Sequence, residues 1–370
     1  MSGPINIENL QAEFTRLVHS DAYLKSNRRC MILGNFGENH NGERLAIAFE
    51  KLGWFVCRVG LYSVLNDTKV NLDFCLSSFC DIDEFMQYRD HVKSFKLNKL
   101  LQITESKFEF IFLIQHSLTF EIDKCDTPIL YYYTEILHPY LPPNVDTLIY
   151  AFPGGDQCLA RSFPSEYVKL KERIYIPHAV DLDVFRPKYE SEEMTADQKS
   201  KEWDKRSILF GFKGVENFPK IGDYLQDNLY NLRDQFLPIA KELGLLYPDP
   251  GSILWTSDYA KFMNDTKIAL NIPGLYGGIN QRMFEALASQ CILLNYDVDG
   301  MRDIGFIDGK TCYTFKTEEE LRTKYNYIVN NMEEAKKVAL KGYEMVNANH
   351  GYIQRAMMFL LIHFITKKKK

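Results

Sequence analysis

KIALNIPGLYGGINQRMFEALASQCILLN, residues 267–295, predicts a strand, a glycine-rich loop, a helix and a second strand in succession. The apolar run before Pro273 is typical of a buried strand, and the helix is predicted to open near Asn280 and to run to Ser289. Strand–helix–strand is the unit from which parallel sheets are built. The stretch therefore predicts an α/β domain with a parallel sheet.

The same alternation extends to both sides of this stretch. In the first half, strands are predicted within 28–36, 54–62, 108–117, 127–135, 146–152 and 173–181. In the second half they are predicted within SILFGFKG (207–214), SILWTSD (252–258), CILLNYD (291–297) and TCYTF (311–315). We expect two Rossmann-like parallel-sheet domains facing a central cleft, because ligands of such sheets bind outside the carboxyl ends of the strands.

Charge and polarity place the predicted domain boundaries. KYESEEMTADQKSKEWDKR, residues 188–206, lacks branched aliphatic residues and is predicted to be a charged linker. It separates an N-terminal domain, 1–187, from a C-terminal domain, 207–349. Residues 350–370 are predicted to form a C-terminal helix that ends in a lysine tail.

Composition narrows the class of protein. With 370 residues, 46% of them hydrophobic and 25% charged, the chain is a typical globular protein. The net charge of −5 disfavours a nucleic acid partner and leaves room only for a local basic groove. Eight cysteines without a CxxC pair are typical of reduced thiols. No signal peptide is visible, and the apolar run at 356–365 is too short to span a bilayer, so we expect a cytoplasmic protein without a transmembrane segment.

The loop–helix junction at 277–285 has the chemistry of a nucleotide site. Gly277 and Gly278 let the backbone approach a ligand closely, and the helix that follows offers N–H groups and a positive dipole end to phosphate. Arg282 can bind phosphate, while Glu285, on the same face, can accept hydrogen bonds from two ribose hydroxyls. The alternative interpretation is glycine and asparagine that only cap a helix, with Arg282 and Glu285 as a surface ion pair.

A family resemblance favours the nucleotide interpretation. Asn280, Arg282, Phe284, Glu285 and Ala286 form a string that resembles the donor-site motif of GT-B glycosyltransferases, closest to the group-1 transferases of the CgeB-like type. Three further stretches resemble that superfamily in the same order, and together they extend the resemblance over about residues 173–360: IPHAVDLDVFRP (176–187), DYAKFMNDTKIALNI (258–272) and GYEMVNANHGYIQRAMMFL (342–360).

The resemblance implies a GT-B fold and transfer of a sugar from a nucleotide-diphosphate-sugar to a hydroxyl of a glycan or other acceptor. Glu285 would hold the donor ribose, and Arg282 with the amides of 277–280 would hold the diphosphate. Lys213 stands where many of these enzymes place a phosphate-binding cation, although an ordinary surface lysine fits it equally well. The first domain would select the acceptor, the second would bind the donor, and the helix at about 350–366 would cross back to the first domain.

In this interpretation the nucleotide sugar is a co-substrate, and we expect no cofactor and no metal. The sequence departs from the family at Gly277, where retaining members often carry a second glutamate, so the stereochemical outcome stays open. Ala179 also replaces a usual glycine.

Candidates for the acceptor base come from the first half of the chain. Glu135 and His138 follow the predicted strand in YYYTEILHPYLPP (131–143), and either could deprotonate an acceptor hydroxyl. His116 is a weaker candidate. Asn35, Glu38 and His40, in the turn GNFGENHNGE (34–43), are candidates for contact with sugar or acceptor.

Four alternatives share some of these features. DxD triplets at 81–83, 181–183 and 297–299 would suit a metal-dependent transferase of another fold, although acidic residues are common at strand ends. A DNA-base glycosyltransferase would need a basic cleft. A UDP-sugar 2-epimerase would act without an acceptor. An inactive nucleotide-sugar-binding scaffold would bind the donor without turnover.

Overall fold

The computed structural model describes residues 9–34, 36, 41–60, 64–65, 68–69, 74–75, 107–114, 125–134, 141–142, 144–151, 155–189, 193–214, 231–248, 256–273 and 278–368. The chain divides into two compact units. The first comprises Met1–Pro177 and Tyr352–Lys370, and the second comprises His178–Gly351.

The first unit is built on a parallel sheet, as the strand–helix rhythm predicts. Its strands are β1 (Arg29–Gly34), β2 (Phe55–Gly60), β5 (Phe74–Cys75), β6 (Phe110–Ile114), β7 (Ile129–Tyr133), β8 (Thr147–Tyr150) and β9 (Glu172–Tyr175). They are ordered β5-β2-β1-β6-β7-β8-β9, and every neighbouring pair is parallel. A short antiparallel pair, β3 (Val64–Leu65) and β4 (Thr68–Lys69), stands apart.

Helices cover this sheet. They are α1 (Leu10–Val18), α2 (Asp21–Leu24), α3 (Asn41–Lys51), α4 (Gly155–Ser162), α5 (Pro164–Tyr167) and the C-terminal α12 (Tyr352–Lys368). Strands β6 and β7 are buried along their whole length, which explains their unbroken apolar sequences. Helix α12 packs against α1 and α3, and the Phe359 ring lies 4.7 Å from that of Phe112 and 5.2 Å from that of Tyr132. The last helix of the chain thus completes the core of the first unit.

The second unit has a smaller parallel sheet. Its strands are β10 (Ile208–Gly211), β11 (Thr266–Asn271), β12 (Ile292–Tyr296) and β13 (Tyr313–Phe315), paired in chain order and all parallel. Its helices are α6 (Ala196–Asp204), α7 (Asn231–Glu242), α8 (Thr256–Asp265), α9 (Gln281–Ala288), α10 (Glu318–Asn330) and α11 (Met332–Asn349), with a 3₁₀ turn at Arg302–Ile304. The fold class predicted from the sequence, an α/β protein with parallel-sheet domains, is confirmed.

One predicted strand is wrong in its described part. The apolar start of SILWTSD (252–258) predicts a strand, but residues 256–258 form the first turn of α8. Thr, Ser and Asp are typical of helix starts, because their side chains can accept hydrogen bonds from free N–H groups of a first turn. The apolar residues before them dominated the strand assignment.

The charged segment 188–206 packs onto the second unit. It contains α6, which begins with a capping box between Thr195 and Gln198. The buried Arg206 guanidinium donates to the carbonyls of Thr266 (2.8 Å) and Ser289 (2.7 Å). A backbone carbonyl is a neutral partner for a cation, so these contacts position the charge without forming an ion pair. The division between the units falls earlier, at Pro177.

No helix in the described parts of the chain is long and apolar enough to cross a membrane. The cysteines whose side chains are described, Cys30, Cys57, Cys125, Cys291 and Cys312, are all free thiols.

Replacing Phe359 with alanine is expected to destabilise the first unit by about 3–5 kcal/mol, because it empties a fully buried site between two aromatic rings. Ile365→Ala, on the same helix but 47% exposed, should change stability by no more than about 0.5 kcal/mol. Urea unfolding followed by circular dichroism measures both. Equal effects of the two substitutions would contradict the packing of α12 described here.

Candidate active site

Helix α9 begins at the carboxyl edge of the second sheet. Strand β11 ends at Asn271, and α9 begins at Gln281, with Asn280 as the residue that precedes the helix. Residues 283–288 are all buried, and all of them except Glu285 are apolar. The Asn280 side chain makes no capping hydrogen bond to this helix, so the first N–H groups can face an anion at this edge.

Asn271 is the centre of a buried amide network. Its side-chain oxygen accepts hydrogen bonds from Asn280 Nδ2 (3.2 Å) and Arg282 Nη1 (3.1 Å). Its Nδ2 donates to Asn295 Oδ1 (2.5 Å), and Asn271 and Asn295 are direct register partners on β11 and β12. Both asparagines are fully buried. The ends of two neighbouring strands thereby set the position of the helix start and of Arg282.

Arg282 lies over an aromatic ring from a third strand. Its guanidinium carbon is 4.9 Å from the centre of the Phe212 ring, directly after β10. A Cβ atom on Gly214 would lie 2.8 Å from Arg282 Nη2, so a side chain at this position would displace the guanidinium. Lys213, between Phe212 and Gly214, is half-buried. Of the predicted phosphate-binding residues, Lys213 lies shortly after β10, and Arg282 lies in the first turn of α9.

A second arginine, which the sequence analysis missed, shares the same ring. The Arg233 guanidinium on α7 lies 5.6 Å from the centre of Phe212, and its Nη2 donates to the Ile272 carbonyl at 3.5 Å. Arg233 is 6% exposed. Its sequence signal is a charge on an otherwise apolar helix face, since Phe236, Leu237 and Ala240 on that face are buried.

Glu285 is buried beside Arg282, as its position three residues later predicts. Burial raises the pKa of Glu285 to about 7, against the opposing effects of the Arg282 charge and the Tyr259 hydroxyl. Tyr259, on α8, approaches the carboxyl group without reaching hydrogen-bond geometry. A carboxyl group with these surroundings has capacity to accept further hydrogen bonds. This environment is unlike that of an exposed surface ion pair.

Several sequence candidates lie outside the described residues. Gly278 is described and precedes the start of α9, whereas Gly277 is not described. The candidate bases and the candidate loop also fall outside: Glu135, His138, His116, Asn35, Glu38 and His40.

Residues of the stretch GYEMVNANHGYIQRAMMFL (342–360), which resembles the superfamily, contact other parts of the protein. His350 is fully buried, with Nε2 2.9 Å from the Ile304 carbonyl and its ring 5.0 Å from that of Phe284 on α9. In the first unit, Arg355 Nε donates to the Pro177 carbonyl at 2.7 Å, and the Tyr352 hydroxyl donates to Asn41 Oδ1 at 2.6 Å. Burial lowers the pKa of Arg355 to about 10. These contacts support packing and chain positioning.

The described DxD triplets have partners within the protein. Asp297 lies 3.8 Å from the Lys316 ammonium group, and Asp181 Oδ1 accepts the backbone N–H of Asp183 at 3.0 Å. Among the described residues, no group of three His, Cys, Asp or Glu side chains is arranged to hold a metal ion.

The raised pKa of Glu285 predicts a pH-dependent stability. Between the ordinary value of 4.5 and about 7, the native state holds the proton more tightly than the unfolded state, so stability falls as pH rises through this window. Glu285→Gln should flatten this part of the profile, whereas Glu344→Gln, an exposed glutamate of the same unit, should leave it unchanged. Urea unfolding at a series of pH values measures the slope. An identical slope in wild type and Glu285→Gln would contradict the assignment.

Comparison with known proteins agrees with this geometry. Residues 242–361 match the family model described as glycosyl transferase-like, a region that includes β11, α9 and β12. A search of curated protein sequences finds no match to the chain.

Solved structures of low sequence identity share the fold over most of the chain. Sucrose-phosphate synthase from Thermosynechococcus elongatus is 13% identical, with a TM-score of 0.57 over 92% of this chain and 100% of that one. HepE from Anabaena, in complex with UDP and glucose, is 10% identical, with a TM-score of 0.53 over 90% and 99%. An alpha-glucosyltransferase in complex with UDP-glucose and DNA containing an abasic site is 8% identical, with a TM-score of 0.52 over 90% and 99%.

These likenesses show the fold that the donor-motif resemblance implies. The family match covers the part of the chain that carries the amide network, Arg282 and Glu285. The chain has the GT-B fold, and its residues 242–361 match the glycosyl transferase-like family.

Proposed function

We propose that the chain transfers a sugar from a nucleoside-diphosphate sugar to a hydroxyl group of an acceptor, without a metal ion. The observation that carries this proposal is the convergence of Arg282 and the uncapped start of α9 at the carboxyl edge of the second sheet. Fixed donors at a helix start, together with a guanidinium, suit a diphosphate better than any uncharged ligand.

The diphosphate would lie against three cationic side chains. Arg282 has an Nε–H without a hydrogen-bond partner among the described residues, and Arg233 lies beside the same Phe212 ring. Lys213 would add a third charge, and the backbone of Gly277 and Gly278 would add amide donors. As the bond between sugar and diphosphate breaks, negative charge grows on the departing oxygen. Preorganised cations and amides stabilise that charge in the way a metal ion does in other transferases.

Glu285 would hold the ribose of the donor. Its buried carboxyl group lies three residues from Arg282, so sugar and phosphate recognition are adjacent. Ribose hydroxyls donate hydrogen bonds to the ionised carboxylate, so binding would favour loss of the proton that Glu285 holds below about pH 7. We therefore propose that donor affinity rises with pH through this range.

Acceptor activation would need a base, and the sequence nominates Glu135 or His138. If either serves, Glu135→Gln or His138→Gln would lose transfer while donor binding is retained. The solved complex of HepE with UDP and glucose makes UDP-glucose the first donor to test. The net charge of −5 favours a hydroxyl of a carbohydrate or small molecule over DNA as the acceptor. The transfer assay would therefore include DNA as a separate acceptor.

Arg282→Ala is expected to weaken nucleoside-diphosphate binding at least about tenfold, because a buried charged contact contributes about 1.5–3 kcal/mol. Titration calorimetry with UDP, GDP and ADP, with and without Mg²⁺, measures this effect. Glu285→Gln should weaken the binding of these ribose-containing nucleoside diphosphates and should remove the pH dependence of their affinity.

Arg322→Ala provides the matched control, since it removes an arginine of the same unit whose ion pair with Glu242 is exposed. Unchanged binding by both Arg282→Ala and Glu285→Gln would refute the donor site. Binding that requires Mg²⁺ would refute metal independence alone. Analysis of products formed from the donor without acceptor separates transfer from epimerisation, and binding without any product would favour the inactive scaffold.

A further inference from the structure

A cavity of the second unit is lined by residues of α6 and α11. Its volume is about 420 Å³, within the range of about 300–1,000 Å³ that small-molecule sites occupy. None of Lys213, Arg282 and Glu285 lines it, so it is separate from the proposed donor site.

The floor of this cavity is apolar and aromatic. Pro187, Trp203, Leu340 and Tyr343 contribute to its walls. The indole N–H of Trp203 already donates to the Gln290 carbonyl at 2.9 Å, so this side chain needs no hydrogen bond from a ligand. Leu340 is 43% exposed, although burial of its side chain would be favourable. The floor therefore suits an apolar group that would remove Leu340 from water.

More cationic than acidic side chains line this cavity. Lys199, Lys336 and Lys337 line the cavity together with one acidic residue, Glu333. Lys336 is already paired with Asp204 and with Glu333, the latter at 2.7 Å. Lys199 and Lys337 have no acidic partner among the described residues. Two uncompensated ammonium groups beside an apolar surface would attract an anion attached to an apolar body.

We infer that this cavity binds an amphiphilic anion. Its apolar chain or ring would contact Trp203, Leu340 and Tyr343, and its phosphate or carboxylate group would lie between Lys199 and Lys337. This inference goes beyond the proposed transfer reaction and does not depend on it. The ligand class follows from the pairing of surfaces, because a neutral hydrocarbon would leave the two ammonium groups without a counter-ion and a small inorganic anion would leave the apolar side chains in water.

Titration calorimetry with dodecyl phosphate, dodecanoate and dodecanol tests the inference, all below their aggregation concentrations. The two anions should bind with one-to-one stoichiometry, and the alcohol at least about tenfold more weakly, because only an anionic head group can accept charged hydrogen bonds from the two lysine ammonium groups. The phosphate and carboxylate probes distinguish which head group is preferred. Saturating UDP should leave the affinity for the anions unchanged.

Three variants locate the binding. The double substitution Lys199→Glu with Lys337→Glu should weaken anion binding at least about tenfold by reversing both charges. Leu340→Trp should abolish it by filling the cavity. Lys341→Glu, an exposed lysine next to Leu340 on the same helix that does not line the cavity, is the matched control and should bind normally. Thermal unfolding of each variant verifies that it is folded.

Four results would overturn the inference. They are absence of anion binding, equal affinity for dodecanol, equal weakening by Lys341→Glu, and displacement of the anion by UDP. The last of these would show that the probe occupies the nucleotide site.

Discussion

The hydrogen bonds of Asn271 are the constraint on which the proposed site depends. One amide side chain holds the residue before α9, the guanidinium of Arg282 and the amide of Asn295 on the next strand. A buried amide must satisfy its donors and its acceptor, so its three partners can move only together. The sheet edge, the helix start and the cation are therefore fixed relative to one another before any ligand binds. Preorganisation of this kind is what stabilises charge in a transition state.

The position of this network follows from the parallel sheet. Parallel strands place all their carboxyl ends on one edge, so residues distant in sequence meet there. Phe212 follows β10, Asn271 ends β11 and Asn295 lies near the end of β12. Arg282 bridges two of these ends, through its hydrogen bond to Asn271 and its contact with Phe212. Helix α9 is thereby joined to the ends of β10 and β11, and Asn271 joins both to the end of β12 through Asn295.

The sequence predicts the parts of this site that are local. The helix predicted from about Asn280 to Ser289, which the structure has at Gln281–Ala288, and the adjacency of Arg282 and Glu285 are both visible in one continuous stretch. Arg233 was missed because its role depends on Phe212, which belongs to another element and meets it only after folding. The Asn271–Asn295 contact likewise depends on strand register, which no local pattern specifies. The strand predicted over 252–258 is wrong at residues 256–258, because an apolar run led the prediction past the helix-start residues that follow it.

Hydrogen–deuterium exchange with and without a nucleoside diphosphate shows whether the donor binds at the start of α9, because it locates binding without any substitution. The nucleotide that gives the largest rise in melting temperature would be used at saturation. We expect slower exchange at the start of α9, in residues 278–285, and around Lys213 and Gly214. Protection confined to other segments, or none at all while the nucleotide is bound, would contradict the placement of the donor at this helix.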